Sequence, residues 1–342
     1  MSIASDSPPS SVPPSGGGSA SRIPAAPAFT LGRLSADQHE EAAAVIHRSL
    51  VEYYGRNLNQ GGRFGDDWRP FMIMPELYEA LDPGCAITAR GADGGLLGVC
   101  FYHPRETHVS LGIVATDPLS GGRGVARAMV AEALRLADGA GLPARLVSSA
   151  LNLDSFSLYT RLGFVPGQVF QDMQFPLDRL PPLSGDSGVR PATPADITAM
   201  ADLEYALTGI RREKDYAFFL RDPENGWDTL VSESPDGALR GFLCAVRSGG
   251  TRMIGPGVTA GGAVAWDLIT AQLRLHPDTR PVFLIPVKCS GLVARLYAAG
   301  ARNVELHLAQ TRALPNFSTT STSAFPLSPD AVVIPTFLPE SG

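Results

Sequence analysis

The chain has 342 residues, a formal net charge of −6 and 44% hydrophobic residues. A single core stops growing near ~250 residues, so two domains are expected, and the acidic balance argues against nucleic acid, whose phosphates need a basic face. No apolar run approaches the ~20 residues of a membrane span, and the start lacks the basic and apolar stretches of a secretory signal, so a cytoplasmic protein with no membrane partner is expected.

Residues 1–28 are rich in Ser, Pro, Gly and Ala and are predicted to be disordered, lacking the apolar content that offsets ordering entropy. A first domain is predicted over 29–175. Asp37 to Tyr54 places Ala42, Val45, Ile46, Leu50 and Tyr53 at helical spacing, with Ser35 or Asp37 as cap. A polar loop, 55–67, and a second helix, Trp68 to Leu81, come next. Ala86 to Arg90, Leu96 to Tyr102 and Val109 to Ala115 are predicted strands. After them, Thr116-Asp117-Pro118-Leu119-Ser120-Gly121-Gly122-Arg123-Gly124-Val125-Ala126 leads into an amphipathic helix, Arg127 to Gly139. Cys85, Cys100, Cys244 and Cys289 stand singly, which predicts reduced thiols with neither disulfide nor metal roles.

A glycine turn between strand and helix lets successive N–H groups converge on one anion, helped by the helix dipole. A Rossmann fingerprint would need Gly or Ala where Arg127 stands, and a P-loop would need Gly-Lys-Ser/Thr, so both are rejected. Beyond a predicted strand, Ala144 to Ala150, comes Asn152-Leu153-Asp154-Ser155-Phe156-Ser157-Leu158-Tyr159-Thr160-Arg161-Leu162-Gly163-Phe164. The two segments, in this order, resemble the pyrophosphate arm and the Asn-x-x-(Ala/Ser)-x-x-Leu-Tyr-x-x-x-Gly-Phe element of the GNAT N-acetyltransferase superfamily.

Pro176 to Gly188 has the composition of a linker. From Val189 the pattern starts again: a helix over Ile197 to Leu207, strands over Leu239 to Val246 and Met253 to Val258, a helix over Ala263 to Leu275, a strand over Val282 to Val287, and Leu296-Tyr297 opposite Leu158-Tyr159. This self-similarity implies a tandem duplication. The expected fold class is α/β (α+β): two tandem GNAT folds, each a mixed, mostly antiparallel central sheet flanked by helices. In the second copy, 189–312, Ala260-Gly261-Gly262 replaces the glycine turn, Ser290 stands near the place of Asn152, and Gly300-Ala301 replaces Gly-Phe. That copy is expected to lack a coenzyme site and to pack, form a homodimer or shape the acceptor pocket. The tail, 313–342, is Ser-, Thr- and Pro-rich, but its apolar end, Val332 to Leu338, is expected to dock.

The resemblance implies acetyl-CoA as cosubstrate, without metal, and a small-molecule or peptide amine as acceptor. It implies that Val114, Ala115 and Thr116 bond the pantetheine, that Gly121, Gly122, Arg123, Gly124, Val125 and Ala126 hold the pyrophosphate, and that Asn152 and Ser155 line the other wall. Tyr159 matches the tyrosine that protonates the leaving thiolate, a task open to a phenol of ordinary pKa; packing is the other reading of that ring. The positions aligned to a strand-borne base carry Ser110 and Gly112, a departure that puts direct base catalysis in question. His108 or Glu106 then remains to relay a proton through water, against the reading of a solvated turn. Tyr53, Tyr54, Asp66, Asp67 and Trp68 mark the expected acceptor side. Fold alone does not decide function, so an acyl-CoA-binding sensor or scaffold stands as the alternative to an N-acyltransferase.

Overall fold

The computed structural model describes residues 29–176, 188–221, 226–247, 253–314 and 328–336. The expected disorder of 1–28, nearly all of the linker and most of the tail lie outside the described residues. The first half runs β1 (Phe29–Arg33), α1 (His39–Leu58), α2 (Ile73–Leu81), β2 (Ala86–Gly91), β3 (Leu96–Pro104), β4 (Val109–Thr116), α3 (Val125–Ala140), β5 (Ala144–Ser149), α4 (Leu153–Arg161) and β6 (Val165–Gln174). The second half repeats that order with β7 (Val189–Pro191), α5 (Ile197–Thr208), α6 (Glu213–Leu220), β8 (Trp227–Glu233), β9 (Leu239–Val246), β10 (Met253–Thr259), α7 (Gly262–Leu275), β11 (Val282–Pro286), α8 (Ser290–Ala298) and β12 (Arg302–Arg312), followed by a short β13 (Val332–Ile334). Periodicity missed α6 and β8. Strand β8 is buried on both faces, which erases the alternation by which a strand is recognised.

Local chemistry accounts for the helices that frame the candidate site. Helix α3 turns Met129, Val130, Ala133, Leu134 and Ala137 inward, and burying each larger side chain contributes about 1.5–3 kcal/mol. It stops at Gly141, whose left-handed conformation lets its N–H reach the Ala137 and Asp138 carbonyls. Asn152 caps α4 by accepting from the Ser155 amide at 2.9 Å. One core lies under α3 and α4 and another under α1 and α2, so the first half is a sheet covered on both faces.

The sheet itself departs from two separate units. Among the described residues all strands form one sheet in the order β1-β2-β3-β4-β5-β12-β6-β11-β10-β9-β8-β7, with β13 beside β10. The last strand of each half has crossed to the other: β12 pairs with β5, while β6 pairs with β11. Only β4–β5 and β10–β11 are parallel; the remaining pairs are antiparallel. Each half therefore completes the sheet of its neighbour, and the boundary at 176–188 divides the sequence without dividing the packing. Residues 29–175 expressed alone are expected to give no cooperative melt by circular dichroism, because β5 loses its antiparallel partner β12 and β6 loses both of its neighbours; a sharp transition from that fragment would rule out the interlock.

Buried charge also joins the halves. Asp82, at the end of α2, accepts from His103 Nδ1 at 2.6 Å, Arg105 at 3.0 Å and Lys214 of α6, and Arg105 Nε lies 2.8 Å from Asp215. Burial holds His103 down to about 4, although Asp82 pulls the other way. Burial and then the Arg145, Arg105 and Arg212 charges hold His108 well below the usual imidazole value. Both rings stay neutral in the fold, while an unfolded chain protonates them below about pH 6.5. The unfolded state then binds more protons, so stability present above that pH is lost as pH falls toward 4. Urea unfolding is expected to give roughly 2–4 kcal/mol less stability at pH 5 than at pH 7, and equal values would exclude two neutral buried histidines.

Candidate functional site

The site starts from a wedge in the sheet. Strands β4 and β5 pair in parallel only at Val109↔Ala144 and Ser110↔Arg145. Beyond that, β4 carries one extra residue against β3, between Cys100↔Val114 and Tyr102↔Leu111. A bulge of this kind bends a strand, and past it β4 stays paired with β3 through Val114–Thr116 while parting from β5. Gly112 sits within it, and a Cβ there would meet the His103 and Tyr78 rings at 3.1 Å. A side chain at that position would have to push those rings aside. The opening past the bulge is a groove lined by Ile113 to Thr116 of β4, by Tyr53 and Tyr54 of α1, and by Asn152, Ser155, Leu158 and Tyr159 around α4.

The groove continues to the glycine turn. Its extension is lined by Gly121, Gly122, Gly124, Val125 and Ala126, with Arg127 and Arg161 beside them, and shares Thr116, Ala126, Asp154 and Leu158 with the first part. The approach to the turn is fastened: Asp117 accepts from the Leu119 amide at 2.9 Å and pairs with Arg48 at 2.7 Å, and Ser120 donates to the Asp117 carbonyl at 2.7 Å. Gly122 and Gly124 have φ of 75° and 78°, a region costly for any other residue. A Cβ on either would meet nothing within 4 Å. The first amides of α3 thus head a helix toward open space, the arrangement that accepts an anion.

The structure brings together Val114, Ala115, Thr116, Gly121, Gly122, Gly124, Val125, Ala126, Asn152, Ser155 and Tyr159 along this groove. Arg123 is exposed and lines neither part. His108 and Glu106 do not reach it. His108 precedes β4 at the far end, about 20 Å from Val114–Thr116 at ~3.3 Å per strand residue, and is buried; Glu106 lies 3.1 Å from Arg211 of the second half. The expected relay through these two has no geometry to work with. Of the expected acceptor side, Tyr53 and Tyr54 face the groove, Trp68 packs on the α1–α2 core, Asp66 is exposed, and Asp67 is exposed and bonds to Arg69. The aligned pairs Leu158-Tyr159 and Leu296-Tyr297 sit differently: Tyr297 is half exposed and donates to Gln171 of β6 at 2.5 Å, whereas Tyr159 is buried against Phe164.

One group beside the groove had no signal in the first half's sequence. Glu305 arrives on β12 and accepts from the Tyr54 phenol at 2.8 Å, the Ser149 hydroxyl at 2.5 Å and Arg63 at 2.8 Å. Burial would raise its carboxyl, but the Ser149 hydroxyl, the His307 imidazole, the Tyr54 phenol and the Arg63 guanidinium outweigh it and hold the group below its ordinary value. Burial and the Glu305 charge together push the Tyr54 phenol above its usual range.

The equivalent wedge of the second half is filled by the chain itself. Strands β10 and β11 pair in parallel at Met253↔Val282 and Ile254↔Phe283. Beyond that, β13 runs antiparallel along β10, with Gly257↔Ile334, Val258↔Val333 and Thr259↔Val332, and lies against β11. Residues 331–336 are buried throughout.

Residues 51–164 match the profile of the Acetyltransferase (GNAT) family. No curated protein matches the chain. Among solved structures, one from Pyrococcus horikoshii named as an acetyltransferase superposes with a TM-score of 0.67 at 14% identity, covering 84% of this chain and 89% of that one. A GCN5-related N-acetyltransferase from Sphaerobacter thermophilus gives 0.59 at 15% identity, covering 86% and 98%. Another, from Anabaena variabilis, gives 0.52 at 13%, covering 83% and 72%. At such identities the likeness is one of fold, a mixed and mostly antiparallel open sheet flanked by helices. Residues 51–164, about a third of the chain, are thus similar to the acetyltransferase (GNAT) family, and the likeness over the greater part of the chain is one of fold.

Proposed function

We propose that the chain transfers an acetyl group from acetyl-CoA to a primary amine of a small molecule or peptide, in the groove of the first half. The observation that carries this reading is the bulged end of β4, paired with β3 but parted from β5, meeting an open glycine turn at the head of α3, with a tyrosine of α4 on the groove wall. The edge of Val114–Thr116 that faces away from β3, beyond the end of the β5 pairing, suits an extended amide chain, and the α3 amides with Arg127 and Arg161 suit a pyrophosphate. Acetyl-CoA supplies the activated acyl group. The chain's own contribution is to orient the partners and to offer the Tyr159 phenol as proton donor. With Ser110 and Gly112 at the positions of a strand-borne base, the amine arrives deprotonated or loses its proton to water.

The lack of such a base also favours a second reading, an acyl-CoA-binding sensor without turnover. A thiol-release assay over a polyamine, an aminosugar, an arylalkylamine and a peptide with a free N-terminus separates the two: acceptor-dependent release supports the transferase, and acetyl-CoA binding without release supports the sensor. Calorimetric titration is expected to give one acetyl-CoA per chain, because β13 takes the backbone of β10 that a second coenzyme would need. A stoichiometry of two would overturn this account of the second half.

A further inference from the structure

Strand β12 carries its charge on the wrong side for an ordinary strand. In Val304-Glu305-Leu306-His307 the apolar Val304 and Leu306 are 42% and 38% exposed, while Glu305 and His307 are 4% and 6% exposed. The cause is local. The register with β6 shifts between Asn303↔Met173 and Glu305↔Asp172, and a bulge there re-aims the following side chains. A buried carboxylate survives only where partners replace its water, and those of Glu305 come from three separate elements around the groove.

Tyr54, near the end of α1, is a groove wall, and its neighbour Tyr53 donates to the Leu151 carbonyl at 3.0 Å and accepts from the Leu153 amide at 3.1 Å. Ser149 ends β5. Arg63 lies in the 3-10 turn Gly61–Phe64 that follows α1, with its guanidinium 5.6 Å from the Tyr54 ring centre and 5.8 Å from that of Phe64. His307, held by Asp172 at 2.8 Å, supports the carboxylate from the next inward position of β12. The partners are thus the end of α1, the turn after it and the margin of the β4–β5 wedge, all on the side of the groove away from the glycine turn.

We propose that Glu305, lent by the second half, is the positioning residue that holds the acceptor wall of the first half's groove. The proposal rests on that groove being the acyl-transfer site, and it gives the interlocked second half a working role: the strand that completes the sheet also carries the ion that shapes the pocket. Glu305→Gln keeps the shape and an oxygen for Tyr54 and Ser149, but sets an amide N–H₂ against Arg63, so the 61–64 turn loses its tether first. Arg63→Met breaks the same tether from the other end and leaves the Tyr54 bond in place.

Hydrogen exchange read by mass spectrometry tests this without turnover. In Glu305→Gln and Arg63→Met, amides over 55–67 are expected to exchange about tenfold faster, with β2–β4 and α3 within about twofold of wild type. Acetyl-CoA affinity by calorimetry is expected to stay within about threefold. With the best amine of the panel, the acceptor KM should rise about tenfold while the KM for acetyl-CoA stays put. Unchanged exchange over 55–67 in both variants overturns the proposal, as does acceleration spread evenly along the chain with loss of acetyl-CoA binding, which would mark a general fold contact. If wild type acetylates no amine, the transferase reading fails by itself and the exchange pattern still decides the role of Glu305.

Discussion

Tyr159→Phe is expected to lower turnover by about 10²–10⁴-fold, the usual worth of a general acid, while acetyl-CoA affinity and melting temperature stay near wild type. The ring is 7% exposed and meets Phe164 edge-on at 5.8 Å between centres. Phenylalanine preserves that volume and that contact, and removes only the hydroxyl. The backbone role is untouched as well, because the Leu162 and Phe164 amides bond to the carbonyl of residue 159. A group that served packing alone would leave turnover intact, and one that served both would lose stability with activity. Steady-state kinetics with the best amine, beside a thermal melt, separate these outcomes. Full activity in the Phe variant would assign the proton to water and withdraw Tyr159 from the chemistry.

Gly124→Asp is expected to weaken acetyl-CoA binding by about 100-fold or more, since a carboxylate there occupies and repels the place of an anion. Two effects must be told apart. At φ 78° any Cβ is strained, at roughly 1–2 kcal/mol, although nothing lies within 4 Å of it. Gly124→Ala carries the strain without the charge, so it should melt like the Asp variant yet bind acetyl-CoA far better. Titration calorimetry on the two variants makes the comparison. If the Asp variant is folded and binds as wild type does, the pyrophosphate does not lie at this turn.

The groove-forming elements were legible in the sequence because they are local. A β-branched run, a glycine turn and an amphipathic helix each declare themselves within about a dozen residues through backbone sterics and periodicity, and Asn152 forecasts a cap that needs only the residues after it. The apolar end of the tail likewise forecast burial. What the pattern left open was the neighbour. A period of two says which face of a strand is buried and nothing about which strand lies beside it, so the exchange of β6 and β12, and the seating of β13 on β10, belong to tertiary structure. His108 and Glu106 illustrate the cost: they stand close before β4 in sequence, but a strand carries its ends apart by about 3.3 Å per residue, and they finish at the joint with the second half instead of at the groove. Glu305 is the converse case. It lies far along the chain from Tyr54, on a strand whose alternation marks Val304 and Leu306 as the inward residues, and only a one-residue shift against β6 turns the carboxylate in to meet Tyr54, Ser149 and Arg63. The sequence alone determined the open glycine turn, the capped helix and the doubled order of elements, whereas strand order and register, which depend on contacts between distant segments, decided what closes each wedge.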